Sequence, residues 1–194
     1  MPAGQLTLEN LACVRGGRLL FKDINCSLGP GDATLVRGPN GAGKSSLLRL
    51  IAGLLAPYAG KVNRSGSIAL ADEAHGLDPR LPLARALGFW AALDGSDHDM
   101  INEAMGAVRI GHLAQVPVRM LSTGQKKRAT LARVIASRAD IWLLDEPGNG
   151  LDKESLTLLD AAMAVHRVRG GIIMAASHQP LGLSDTKIIA IGEG

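Results

Sequence analysis

Gly38-Pro39-Asn40-Gly41-Ala42-Gly43-Lys44-Ser45 fits the spacing G-x-x-x-x-G-K-S without a gap. Glycines at 38, 41 and 43 let the backbone turn sharply and point N–H groups at phosphate oxygens. A helix that starts at the end of the loop adds the positive end of its dipole. Lys44 is then placed for the β- and γ-phosphates of a nucleotide and Ser45 for Mg2+, with Ser46 as a further hydroxyl donor. A chance lysine after a glycine-rich turn could mimic the pattern. Here the loop follows a short apolar run, Ala33 to Arg37, and precedes helically spaced Leu47, Leu48, Leu50, Ile51 and Leu54. That strand–loop–helix context is what gives the motif weight.

Two further groups extend the chemistry. Ile141-Trp142-Leu143-Leu144 ends in Asp145-Glu146. In an open parallel sheet the carboxyl ends of strands carry the ligand. Asp145 there would hold Mg2+, directly or through water, and Glu146 would polarise an attacking water. The pentapeptide Leu121-Ser122-Thr123-Gly124-Gln125 opens a helix through Arg128, Leu131, Ala132 and Ile135. Ser122 is a good N-cap residue. The same geometry, an exposed hydroxyl beside the Gly124 N–H at a helix N-terminus, suits a γ-phosphate, and at the far end of a helical insertion it would serve a second copy of the chain.

The elements that must position these groups follow from periodicity. Strands are expected around Leu6 to Leu11, Leu19 to Leu28, Ala33 to Arg37, Ser67 to Ala71, Ile141 to Leu144, Gly171 to Ala176 and Lys187 to Ile191. Helices are expected from Gly43 to a stop at Pro57, from Ser122, and over Lys153 to Val168. Residues 73–121, broken by Pro79, Pro82 and Pro117, read as a small helical insertion. The alternation predicts one α/β domain spanning 1–194, with a mainly parallel sheet covered on both faces.

Composition narrows the partners. Aromatics make up 3% of the chain and the net charge is +3, which gives little support to nucleic-acid binding. Cys13 and Cys26 have no metal or disulfide spacing and read as core residues. His75, His98, His112 and His166 read as surface groups. The first residues are polar, and no run approaches about 18 apolar residues. The chain is therefore expected to be cytoplasmic, with a partner supplying any contact with a membrane.

In this order, the motifs resemble the nucleotide-binding subunit of ABC transporters over essentially the full chain. Gly38 to Ser45 matches Walker A, Leu121 to Gln125 the signature, Ile141 to Glu146 Walker B, and Asn149-Gly150-Leu151-Asp152 the D-loop. His178, in Ala176-Ser177-His178-Gln179-Pro180, matches the switch histidine. Leu11 to Arg18 with Leu20-Phe21, the short insertion with Phe89-Trp90, and Ser177 to Leu181 are similar to the CcmA-type subunits that serve heme export in cytochrome c maturation.

The resemblance implies a P-loop NTPase of ABC ATPase type, with an N-terminal antiparallel β subdomain and a small helical subdomain. It also implies ATP and Mg2+ as cofactors. The catalytic residues would be Glu146, His178 and Lys44, and the cation ligands Ser45 and Asp145. Residues 38–46 would bind nucleotide, with Arg15 at the base and Ser122, Gly124 and Gln125 from the opposite copy of a homodimer. Integral membrane permease subunits of Ccm type would complete the complex on the cytoplasmic face of the inner membrane. A subunit for another substrate is the alternative. A small-molecule kinase has no use for the signature, and a DNA-repair ATPase would carry a coiled-coil or zinc insertion.

Three positions depart from the family pattern. Thr123 replaces a usual glycine. Arg15 stands where an aromatic stacks on adenine, a role a guanidinium plane can take. No Q-loop glutamine occurs in Leu70-Ala71-Asp72-Glu73-Ala74-His75, where Glu73 and His75 are the nearby polar groups.

Overall fold

The computed structural model describes residues 4–72 and 76–192. Antiparallel strands β1 (Gln5–Arg15) and β2 (Arg18–Leu28) lead into β3 (Ala33–Arg37), the phosphate loop and helix α1 (Lys44–Ala52). Strands β4 (Ala59–Ser65) and β5 (Ile68–Ala71) follow, then helices α2 (Leu83–Asp94), α3 (His98–Ala107) and α4 (Thr123–Ala136). The chain closes with β6 (Ile141–Asp145), α5 (Lys153–Val168), β7 (Ile172–Ala176) and β8 (Lys187–Ala190).

Two sheets result. One is antiparallel, in the order β2-β1-β4; the other is parallel, in the order β5-β6-β7-β3-β8. The strands of the parallel sheet are apolar almost without interruption because both of its faces are covered. Leu35, Trp142, Leu144, Ile173 and Ala175 face a core shared with α2 to α5. Val36, Ile141, Leu143, Met174 and Ala176 face a second core shared with α1 and with Leu6, Leu8, Leu11 and Phe21 of the antiparallel sheet.

Parallel pairing decides where the site lies. In register, Val36 stands beside Ala176, and Ala176 beside Asp145. Strands β3, β7 and β6 therefore end level. Their exits deliver the phosphate loop, Ser177-His178 and Asp145-Glu146 to a single edge of the sheet.

Several expectations are corrected. Helix α1 stops at Ala52, well before Pro57, because Gly53 adopts φ 79 and its N–H returns to Leu50 O. Arg64 reinforces that end by donating to the carbonyl of Ile51. Strand β4 has no counterpart in the sequence reading. It is an almost wholly exposed edge strand held by main-chain pairing to β1, so hydrophobic alternation could not mark it. The last strand ends at Ala190, one residue short of the expectation. Cys13 is buried as expected, whereas Cys26 is only half-buried.

His166 is not a surface group. Its ring stacks on Trp142, with centroids 4.0 Å apart and planes 11° from parallel, and its Nε2 donates to Ile172 O at 3.3 Å. A β-carbon at Gly171 would lie 2.2 Å from that ring, so the glycine is required there. Burial pushes the imidazole down to about 4 from its ordinary 6.5, because the charged form loses its hydration. A depressed histidine keeps its full contribution to stability above pH ~6.5 and loses it as pH falls toward 4. Asp32, Asp140 and Asp152 are also lowered, by hydrogen bonds from Gly29, Ser67 and Ser155 first, but their contributions fade only below the ordinary carboxylate range. Urea unfolding should therefore show a loss on the order of 1–2 kcal/mol between pH 7 and pH 5. His166→Phe should remove most of that dependence; an unchanged slope in the variant would assign it to other groups.

Candidate active site

The level strand ends enclose a cavity of about 580 Å³, within the range of small-ligand sites. Asn40, Gly41, Gly43, Lys44, Ser45 and Ser46 form one wall. Asp145, Glu146 and Asn149 form the second, His178 and Gln179 the third, and Leu20 of β2 closes the side. Leu20, Asn149 and Gln179 are additions to the expected set of site residues. Gln179 adjoins a predicted residue in the chain, whereas Leu20 reaches the wall only through packing, its Cβ being one of the atoms that a side chain at Gly43 would strike at 3.1 Å.

The geometry of the loop suits a phosphate. Gly38 has φ 156, and a β-carbon there would lie 2.2 Å from Ile191 O, so only glycine lets the loop leave β3 beside the end of the chain. Gly41 has φ 78 with nothing near its would-be β-carbon, so its backbone faces open space. Pro39 and Ala42 shape the turn through the Ala42 N–H to Pro39 O bond of 3.2 Å. Lys44 is buried to 8% exposure, and its Nζ donates to Gly38 O at 2.9 Å and Pro39 O at 3.2 Å.

His178 Nε2 is a meeting point. Lys44 Nζ lies 2.7 Å from it, Asn40 Oδ1 2.9 Å and Glu146 Oε1 3.5 Å. Lys44 has only donors, so a bond from it makes Nε2 an acceptor and puts the ring proton on Nδ1. Donation from Nε2 to Asn40 or Glu146 requires the opposite proton position and the withdrawal of Lys44. The two arrangements exclude each other.

Glu146 is the strained member of the group. Its φ is 46, in a region that residues with a β-carbon avoid and that clusters at functional sites. Its side chain is 18% exposed, and Oε2 accepts from the His178 N–H at 3.4 Å. For a cation, the Ser45 hydroxyl and Asp145 carboxylate both line the cavity. Among the described residues no group of three or more His, Cys, Asp or Glu could hold a metal unaided. One hydroxyl and one carboxylate fit Mg2+, which usually keeps waters and takes phosphate oxygens to complete its shell.

Ser122, Gly124 and Gln125 do not line this cavity. They open α4 as a capping box: Ser122 Oγ accepts from Gln125 N at 3.2 Å, and Gln125 Oε1 accepts from Ser122 N at 2.9 Å. The cap uses Ser122 as an acceptor and leaves its O–H to donate elsewhere. Arg15 is exposed at the β1–β2 turn, paired with Arg18, and is also outside the cavity wall. Glu73 and His75 lie outside the described residues. Asp72, beside them, pairs with Arg49 at 3.6 Å.

A sequence-family model described as "ABC transporter" matches residues 21–149. Among curated relatives, the Cytochrome c biogenesis ATP-binding export protein CcmA of Sphingopyxis alaskensis is 54% identical over 96% of this chain and 96% of its own length. The protein of the same description from Zymomonas mobilis is 50% identical over 96% of this chain and 84% of its own. Among solved structures, a putative ABC transporter ATP-binding protein from Pyrococcus furiosus superposes with TM-score 0.84 at 22% identity, covering 96% of this chain and 97% of that one. That last likeness concerns the fold.

Lys44→Met keeps the length of the stem and removes the charge. It should lower nucleotide affinity at least about tenfold, by the worth of a charge-assisted hydrogen bond, with the melting temperature nearly unchanged. Titration calorimetry checks this, and unchanged affinity would mean that Lys44 does not meet the ligand.

Proposed function

The chain belongs to the ABC transporter family, in its CcmA branch of ATP-binding export proteins, and from that premise we propose that it powers a heme-handling membrane complex of cytochrome c maturation. No described helix is long and apolar enough to cross a membrane. The energy of hydrolysis must then reach the membrane through permease subunits, for which the Ccm type is our reading. It would act as a peripheral subunit on the cytoplasmic face of the inner membrane. The single observation that supports the site assignment is the convergence of Lys44, Asn40 and Glu146 on His178.

In this reading, ATP lies along residues 38–46, with its base over the β1–β2 hairpin, where the Arg15 guanidinium stacks on adenine and Leu20 packs below. Ser45 and Asp145 would hold Mg2+, which would supply charge neutralisation at the phosphates. A γ-phosphate oxygen competes for Lys44 Nζ and draws it from His178. The freed Nε2 can then carry the proton and donate to the phosphate or to Glu146. Glu146 accepts from the attacking water and aligns it. Positioning and charge neutralisation account for most of the acceleration.

Half of the site is missing from a single chain. Ser122 O–H and Gly124 N–H, at a helix N-terminus outside the cavity wall, serve the nucleotide of a second copy, with Gln125 holding the cap that presents them. Two chains arranged head to tail enclose two ATP molecules, and loss of the γ-phosphate opens the pair.

Glu146→Gln should retain ATP binding, reduce turnover at least about 100-fold and accumulate an ATP-bound dimer on gel filtration. Normal hydrolysis by that variant would remove Glu146 from its role. Ser122→Arg should suppress turnover while monomeric ATP affinity stays within about twofold; equal loss of both would assign the signature helix to its own chain's fold.

A further inference from the structure

Lys127 lies on α4, in the turn directly after the Ser122–Gln125 cap, and its Nζ donates to the backbone carbonyl of Glu146 at 3.3 Å. Glu146 needs such support. A residue at φ 46 stays there only when its surroundings hold it. Two main-chain bonds contribute: Glu146 N to Ala176 O at 2.9 Å, and Asn149 N to Glu146 O at 3.2 Å. Both come from the strand ends and the turn that form the cavity. The Lys127 bond alone arrives from the signature helix, across 19 residues of sequence.

That origin matters because the φ of Glu146 sets the direction of its side chain. A rotation there swings the carboxylate relative to Lys44, His178 and the water it must align, and a displacement of about 1 Å is enough to slow a reaction severely. Helix α4 is continuous from Thr123 to Ala136, so a movement at its N-terminus is transmitted to Lys127 within the first two turns.

We propose that Lys127 is a positioning residue for Glu146, and that its hydrogen bond links hydrolysis in one site to engagement of the other. The helix whose cap meets the second copy's phosphate is the helix that holds this chain's own water-aligning residue in place. The bond is already made in the single chain, so engagement of the partner's nucleotide acts by shifting α4 and with it Lys127 Nζ. Where that bond is lost, the strained backbone keeps only its two main-chain restraints. This rests on the reading of Glu146 given above.

The test is steady-state phosphate release by the full chain over a range of ATP concentrations, together with thermal melting. Lys127→Met keeps the apolar stem and removes the donor. It should lower kcat about tenfold, the worth of one charge-assisted hydrogen bond, with KM for ATP within about twofold and the melting temperature nearly unchanged. Lys127→Arg restores a donor and should recover most of kcat. Normal kcat in Lys127→Met, alongside an inactive Glu146→Gln, would overturn the proposal and leave the role of Glu146 standing. A fall in kcat accompanied by a raised KM and a lowered melting temperature, without rescue by arginine, would also overturn it, as a packing effect. Full activity in Glu146→Gln would remove both.

Discussion

Val36, Ala176 and Asp145 occupy one row of the parallel sheet, and the chemistry of the molecule depends on that alignment. Parallel strands place all their carboxyl ends on one edge. Register then decides whether the groups beyond those ends meet. A shift of β6 by one residue would turn Asp145 to the opposite face and carry Glu146 away from His178. The buried apolar runs of β3, β6 and β7 prevent such a slip, because each side chain is already committed to one of two cores. Core packing thus sets the geometry of the site.

Around that edge the protein arranges a small number of polar groups in mutually exclusive roles. His178 Nε2 can accept from Lys44 or donate toward Asn40 and Glu146, and in the proposed mechanism an incoming phosphate oxygen, competing for the same ammonium, would change the choice. Ser122 avoids such a conflict. Its oxygen accepts within the capping box while its hydrogen remains available. A helix cap and a phosphate donor are often alternative readings of one serine; here the two lone pairs and single proton of a hydroxyl accommodate both.

The parts of the fold most legible in the sequence were those in which a local rule had no competitor. Helix α5 runs from Lys153 to Val168 as expected because its Asp152 cap and its apolar spacing agree. The phosphate loop was legible because glycine spacing, lysine and the following helix form one contiguous unit. Strand β4 was not, since an exposed edge strand follows its partner's hydrogen bonds and shows no alternation of its own. The stop of α1 was misplaced because proline is conspicuous, while Gly53 ends the helix with a backbone turn and an arginine from β4. His166 was misread because its burial comes from Trp142 and Gly171, neither of which marks the histidine in its own stretch of sequence.

Taken alone, the sequence determined the local chemistry: which backbone segment can cradle a phosphate, which serine caps a helix, and which carboxylates follow a buried strand. These follow from residue type and near-neighbour spacing, which chain geometry makes short-range. Tertiary structure decided which of those groups face one another. His178 meets Lys44 across 134 residues, and Lys127 reaches Glu146 because α4 and β6 share one apolar core. Such pairings depend on strand order and register, and these arise from the summed burial of two cores rather than from any motif. The same tertiary arrangement leaves Ser122 outside its own chain's cavity.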